Sequence, residues 1–203
     1  MSITLHKGDL PADINFGDSI AVDTEAMGLL NNRDRLCLVQ LSSGDGTAHL
    51  VQIAQGQTDA PNLQKLLLDE KVLKIFHYAR FDVAIIKKYL GVMCTPIYCT
   101  KIASKLSRTY TDKHSLRHLC KEILATDLNK QQQSSDWGAD ELTKEQLSYA
   151  ASDVLYLHGI REGLDKMLQR EGRFELAYKT FEHLPARVEL DLAGWLDVDI
   201  FAH

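Results

Sequence analysis

Residues 72–91, VLKIFHYARFDVAIIKKYLG, change hydrophobic period without a pause. VLKIFHYA is a dense run of strand character. It leads straight into RFDVAIIKKYLG, where Val83, Ile86 and Leu90 recur at helical spacing and Gly91 is a stop signal. Strand-to-helix alternation of this kind, following a set of hairpin-like strands, predicts an α/β or α+β domain built on a mixed sheet. The earlier strands are ITLHKGDL, DSIAVDTE, LCLVQLSS and TAHLVQI. Residues 11–17, SSGDG and QGQTDAPN read as loops, and PNLQKLLLDE as a short helix. Downstream, residues 96–99 form a short strand feeding the helix TKIASKLS. SLRHLCKEIL is a helix capped by Ser115. Residues 142–172 read as one long helix with Thr143 at its N-cap and Gly172 past its end. RFELAYKTFEHL is helical and stopped by Pro185, and the segment from Leu190 onward has no settled reading.

With 203 residues, 45% of them hydrophobic, the chain can bury one sizeable core, and a single domain over residues 1–203 is expected. There is no internal repeat or linker. No apolar run approaches the ~20 residues that cross a bilayer. The N-terminus lacks a basic region followed by an apolar stretch, so a cytoplasmic protein without a signal peptide or membrane partner is expected. The four cysteines form no C-x-x-C pair and read as reduced thiols, with a Cys94–Cys99 bridge as the one alternative.

Two carboxylates end the second strand. Asp23 and Glu25, two apart, point to one face if the strand continues through them. Held together they repel unless a cation or proton lies between; the plain alternative is that Glu25 is past the strand and solvated. Asp82 falls at the opening of the helix after VLKIFHYA. It suits the helix dipole there, and it also lies at the carboxyl end of a core strand, where open α/β sheets bind ligands. Asp153 shares a helix face with Tyr149, Leu157, Ile160 and Leu164, so it heads a stripe that becomes core. These four acids are hard oxygen donors of the kind Mg²⁺ or Mn²⁺ prefers. Two such ions ~3.5–4 Å apart clamp the attacking and leaving oxygens of a phosphoryl displacement.

The net charge of −5 hides an asymmetry: residues 71–121 hold eleven Lys/Arg and only two acids. This is either a set of solvated basic helix faces or a phosphate-facing surface, with Lys101, Lys105, Arg108, Lys113 and Arg117 as candidates. Neither a G-x-G-x-x-G run nor a P-loop nor a G-x-S-x-G elbow is present, which argues against a nucleotide-binding α/β protein or an α/β-hydrolase.

The segments VDTE, HYARFD and YAASD resemble the three motifs of the DEDD exonuclease superfamily. Tyr149, four before the last Asp, marks the DEDDy subgroup typified by ribonuclease D. The resemblance spans roughly Ser19 to Leu168 and includes LCLVQLS and NKQQQSSDWGADELTKEQLSYAASDV. It implies a ribonuclease H-like exonuclease fold, with a mixed five- to six-stranded sheet flanked by helices. It further implies a 3'-5' exoribonuclease using two divalent ions, Mg²⁺ or Mn²⁺. By the same resemblance Asp23 bridges the ions, Glu25 and Asp153 complete one, Asp82 serves the other, and Tyr149 orients the attacking water.

HYARFD, CTKIAS and KQQQSSDWGA are most similar to the compact nano-RNase C branch. That likeness implies cleavage of very short RNA, 5'-phosphorylated diribonucleotides above all, and assembly into a homo-oligomeric ring, an octamer. DTEAMGL also resembles the first motif of oligoribonuclease, which makes Leu29 a wedge between bases and gives Gly28 a close approach; Met27 departs by replacing a small hydroxyl residue. Glu25 and the backbone near Ala26 are expected to hold the 3'-hydroxyl. Base stacking falls to Leu29, Tyr78 and Phe81, with core packing the competing role for Phe81. His77 is expected to contact phosphate, pair with an acid, or be a satisfied buried histidine. Lys101 is a further substrate contact, Trp137 a packing anchor, and Gln131 to Gln133 a loop. The alternatives are an exonuclease on longer RNA or DNA, and a degenerate fold kept as a nucleic-acid-binding module.

Overall fold

The computed structural model describes residues 2–31, 33–128 and 135–202. Among them six strands form one sheet: β1 (Ser2–Lys7), β2 (Ser19–Ala26), β3 (Leu36–Ser42), β4 (Thr47–Gln52), β5 (Leu73–Phe76) and β6 (Ile97–Cys99), in the order β1-β4-β3-β2-β5-β6. β1 runs parallel to β4, β4, β3 and β2 are successively antiparallel, and β2, β5 and β6 are parallel. The sheet is therefore mixed, as the sequence predicts. All seven residues of β3 are buried, which is why LCLVQLS shows no alternation: the strand is covered on both faces. Ile20, Ala21 and Val22 are also fully buried, so β2 leaves the core at Asp23.

Eight helices complete the described residues: α1 (Pro61–Leu68), α2 (Ala79–Leu90), α3 (Thr100–Ser107), α4 (Leu116–Leu124), α5 (Lys144–Leu155), α6 (Leu157–Arg170), α7 (Phe174–Glu182) and α8 (Leu184–Leu192). α5 lies on β2, β3 and β4, and α6 packs against α3 and α4. α8 packs on α2, where Arg80 makes a bidentate pair with Asp191 and donates to the Leu196 carbonyl. No helix among the described residues is long and apolar enough to cross a membrane. All four cysteines are free and buried, so the Cys94–Cys99 alternative does not arise.

Four expectations about local structure are corrected or refined. The strand read as running to Ala79 ends at Phe76, because Tyr78 takes a left-handed conformation (φ 77°) and turns the chain directly into α2. The long helix is two helices divided at Tyr156, whose N–H bonds the Val154 carbonyl instead of that of Ser152. The helix RFELAYKTFEHL ends at Glu182, ahead of Pro185, but the chain re-enters a helix at once, and Pro185 sits in the first turn of α8, where a missing N–H costs nothing. Ser115 occupies the N-cap of α4, but its hydroxyl pairs with His118 Nδ1 instead of a backbone amide. Thr143, by contrast, forms a full capping box with Gln146.

Candidate active site

β2 delivers two acids because it outruns its cover. Asp23 and Glu25 point to the same face and are half-buried, while Thr24 between them points the other way and is buried. α5 brings a third acid to that face. Its capping box fixes the start of the helix, and the Gln146 amide donates to the Asp136 carbonyl, tying the helix to the SDW stretch. One carboxylate oxygen from each of Asp23, Glu25 and Asp153 can be chosen so that all three lie within 4.8 Å of one another. No solvated Glu25 and no solvated helix end at Asp153 is seen.

Asp82 stands in the first turn of α2, only 4% exposed, beside this group. Its Oδ1 accepts a 2.6 Å hydrogen bond from the Thr24 hydroxyl. Asp23 accepts from the Gln40 amide at 3.4 Å across the β2–β3 ladder, where the two residues are register partners.

The electrostatics are those of a site built for positive charge. Burial first, then Asp82, Asp153 and Glu25, push the Asp23 carboxyl well above the usual range. Burial, then Asp153 and Asp82, raise Glu25 to about 9. Burial raises Asp82 to about 7 against the opposing Thr24 hydrogen bond. Burial and the neighbouring acids push the Tyr149 phenol upward as well, so the hydroxyl keeps its proton. Carboxylates crowded this closely repel one another unless a cation or a proton lies among them. The donors are all oxygen, which suits Mg²⁺ or Mn²⁺.

A cavity of about 530 Å³ opens over these groups. Asp23, Glu25, Ala26, Met27, Gly28, Leu29, His77, Tyr78, Phe81, Asp82, Tyr149 and Asp153 all line it. Of the residues expected at the site, Lys101 alone does not; its ammonium lies 4.2 Å from the Tyr78 ring centroid and backs that ring. Phe81 takes both of its proposed parts, packing against the core and bordering the cavity. Trp137 is an anchor, 2% exposed and tilted against Tyr149 at 6.1 Å, and it also forms part of the wall. His77 pairs with no acid among the described residues: its Nδ1 meets the Thr100 hydroxyl at 2.8 Å. Gln131 to Gln133 lie outside the described residues.

The loop after β2 is held by a residue that sequence reasoning missed. Asp34 is 6% exposed, and its Oδ2 accepts from the Leu30 N–H at 2.9 Å. Its own N–H donates to the Leu30 carbonyl at 2.8 Å. A Cβ on Gly28 would stand 2.3 Å from Asp34 Oδ2, so only glycine fits. Leu29 is thereby 84% exposed on a pinned loop. Met27 packs toward Gly138, where a Cβ would meet its sulfur at 2.5 Å. Thr24, Gln40 and Thr100 were missed too; Gln40 could have been noticed as the one amide inside an apolar strand.

Much of the basic window is neutralised. Arg108 is fully buried and bonded to Glu122, Ser104 and the Lys113 carbonyl, so it faces no phosphate. Arg117 pairs with Asp127, Arg80 with Asp191, and Lys74 is buried against two carbonyls. Three of these acids lie outside the window that was counted.

A 3'-5' exonuclease family model matches residues 9–169. The ribonuclease D of Nitrobacter hamburgensis is 32% identical over 165 residues, 81% of this chain and 43% of that protein. The chain thus spans about two fifths of the length of the ribonucleases D it matches. A Brucella melitensis NrnC with bound Mg²⁺ is 52% identical, with a TM-score of 0.96 and all of both chains covered. The same protein bound to pGG is 53% identical, with a TM-score of 0.97, covering all of this chain and 99% of the other. The mixed sheet flanked by helices is accordingly the ribonuclease H-like exonuclease fold. With its four acids and Tyr149 gathered around one cavity, the chain belongs to the 3'-5' exonuclease family, in the DEDDy, ribonuclease D-like division and of the NrnC type.

Proposed function

We propose that this protein is a metal-dependent 3'-5' exoribonuclease. It hydrolyses very short RNAs, 5'-phosphorylated diribonucleotides preferentially, to nucleoside 5'-monophosphates. The observation that carries this reading is the convergence of Asp23, Glu25 and Asp153 on one point, with Asp82 and Tyr149 in the same cavity. The full-length likeness to an NrnC bound to pGG supports the choice of substrate.

Asp23, Glu25 and Asp153 would hold a divalent cation, and Asp82 stands beside them where it would help hold a second. When bound, the pair supplies charge neutralisation at the scissile phosphate and an acidified water. The Tyr149 hydroxyl, which keeps its proton, would orient the attacking water through a hydrogen bond. Glu25 and the backbone at Ala26 receive the 3'-hydroxyl, which enforces attack from the chain end. Leu29 and Tyr78, both exposed, give bases an apolar and an aromatic surface, and stacking of that kind is worth ~1–3 kcal/mol per base. Lys101 backs Tyr78 and adds positive charge near the substrate. The exposed Trp195, Leu196, Val198, Ile200 and Phe201 supply an apolar surface for self-association, in line with a ring of this chain.

The test is a time course on labelled RNA of two, seven and twenty residues and on matching DNA, with Mn²⁺ and EDTA controls. Release of monophosphates from the two-residue RNA first, abolished by EDTA, is the expected result. Faster decay of the long RNA or of DNA would replace the short-RNA reading. No cleavage together with tight binding would leave a binding module. Light scattering on the eluting protein measures the subunit count.

A further inference from the structure

One hydroxyl fixes the protonation of His77. Thr100, at the head of α3, is fully buried. Its Oγ1 lies 3.1 Å from the Phe76 carbonyl oxygen and 2.8 Å from His77 Nδ1. Two oxygens that close in a dry interior repel unless a proton lies between them, so the single Thr100 proton goes to Phe76. The hydroxyl then accepts on its other side, and His77 Nδ1 is the donor. A neutral imidazole with its hydrogen on Nδ1 carries a bare lone pair on Nε2. Burial, and then Lys101, oppose a second proton and hold the ring's pKa at about 3. Thr100 is the ring's hydrogen-bond partner among the described residues, and the ring borders the cavity.

Any part of an RNA that sits beside that lone pair must bring a hydrogen. A phosphate oxygen is repelled. A nucleotide offers two kinds of donor, sugar hydroxyls and base N–H groups, and the cavity separates them. The surfaces suited to bases, Leu29 at 84% and Tyr78 at 48% exposure, stand at its rim. Ala21 and Ile75 are register partners on parallel strands, and Asp23 and His77 each follow two residues later. His77 follows the end of β5, and its ring lines the same cavity as Asp23 and Asp82. Between a base at the rim and a phosphate over the acids lies the sugar.

We propose that His77 Nε2 accepts a hydrogen bond from a 2'-hydroxyl of the bound RNA, with Thr100 as the positioning residue that sets the tautomer. The site thereby reads ribose against deoxyribose. This rests on the exonuclease reading above.

The experiment compares kcat/KM for 5'-phosphorylated ribo- and 2'-deoxydinucleotides in the wild type, His77→Leu, Thr100→Val and Thr100→Ser. One lost neutral hydrogen bond corresponds to about a fivefold to tenfold ribose preference in the wild type. His77→Leu and Thr100→Val bring the ratio toward one, and Thr100→Ser retains it. A 2'-fluoro dinucleotide, which cannot donate, behaves as the deoxy substrate. Equal wild-type rates on both sugars overturn the proposal. So does a ratio that survives His77→Leu, or a change in base preference with the sugar ratio intact. If neither dinucleotide is cleaved, the exonuclease reading fails separately. Calorimetric binding of the two dinucleotides to Asp82→Asn protein then decides the sugar question: tighter ribose binding supports it, and equal binding overturns it.

Discussion

The Thr24 hydroxyl and Asp82 Oδ1 are 2.6 Å apart, joining β2 to the first turn of α2. The bond takes one carboxylate oxygen and aims the other at the cavity. It also counters the burial that lifts this acid to about 7. Thr24→Val keeps the shape and removes the donor. A hydrogen bond to a charged group is worth about 1.5–3 kcal/mol, so turnover should drop about tenfold to a hundredfold. The acid limb of the pH–rate profile should move upward, and Thr24→Ser should restore both.

Asp82→Asn is expected to bind a dinucleotide and lose most turnover. Near-normal rates from that protein would remove Asp82 from the catalytic set. Tyr149→Phe tests a different part. Its phenol stays protonated, so it works as a donor, and loss of one well-placed donor costs about a hundredfold or more in kcat. KM should change little.

Stability in EDTA should fall as pH rises. Glu25 and Asp82 have folded pKa values of about 9 and about 7, above their unfolded values, so the fold binds more protons than the unfolded chain. Their contribution is fully present below about pH 4 and is lost progressively toward pH 9. His77 acts oppositely: with a folded value of about 3, its contribution is lost as pH falls below the ordinary imidazole value of 6.5. Added Mn²⁺ should therefore raise the melting temperature far more at pH 8 than at pH 5.5. Equal shifts by scanning calorimetry would contradict the assignment of the acids to a cation.

Gly28→Ala places a methyl group 2.3 Å from a buried carboxylate oxygen, so the loop must move. Leu29 then loses its station, and KM for a dinucleotide should rise about tenfold. Hydrolysis of a p-nitrophenyl ester of a nucleoside 5'-phosphate, which has no second base to wedge, should be much less affected. Asp34→Ala should reproduce this split more weakly.

Arg108→Ala separates two roles once considered for the basic window. A fully buried guanidinium that binds Glu122 and Ser104 is structural. Its removal should cost about 3 kcal/mol and depress the melting temperature. KM for a 5'-phosphorylated dinucleotide should hold below that temperature.

The five residues proposed for the chemistry stood out in part because each sits where local pattern exposes it, and the likeness to the three exonuclease motifs joined them into one set, which the structure brings to one cavity. Asp23 and Glu25 end an apolar strand, Asp82 opens a helix, and Asp153 with Tyr149 heads a stripe. Their supports were not legible. Thr24 reaches Asp82, Gln40 reaches Asp23, and Thr100 reaches His77 across distances in the chain that only the folded sheet closes. The basic window misled for the same reason, since its partners Asp191, Glu122 and Asp127 lie elsewhere. Helical periodicity carried through Tyr156 because side-chain pattern does not register a single irregular backbone hydrogen bond.

That break has a mechanical consequence. In one continuous rod, any twist needed to seat Leu164 and Leu168 would be transmitted to Asp153 as an angular error. Here the rod is divided at Tyr156: Asp153 rides on a helix seated on β2, β3 and β4 and started by its own capping box, while Leu164 and Leu168 belong to a second helix that packs on α3 and α4. The carboxylate thus takes its bearing from the sheet and not from the outer bundle.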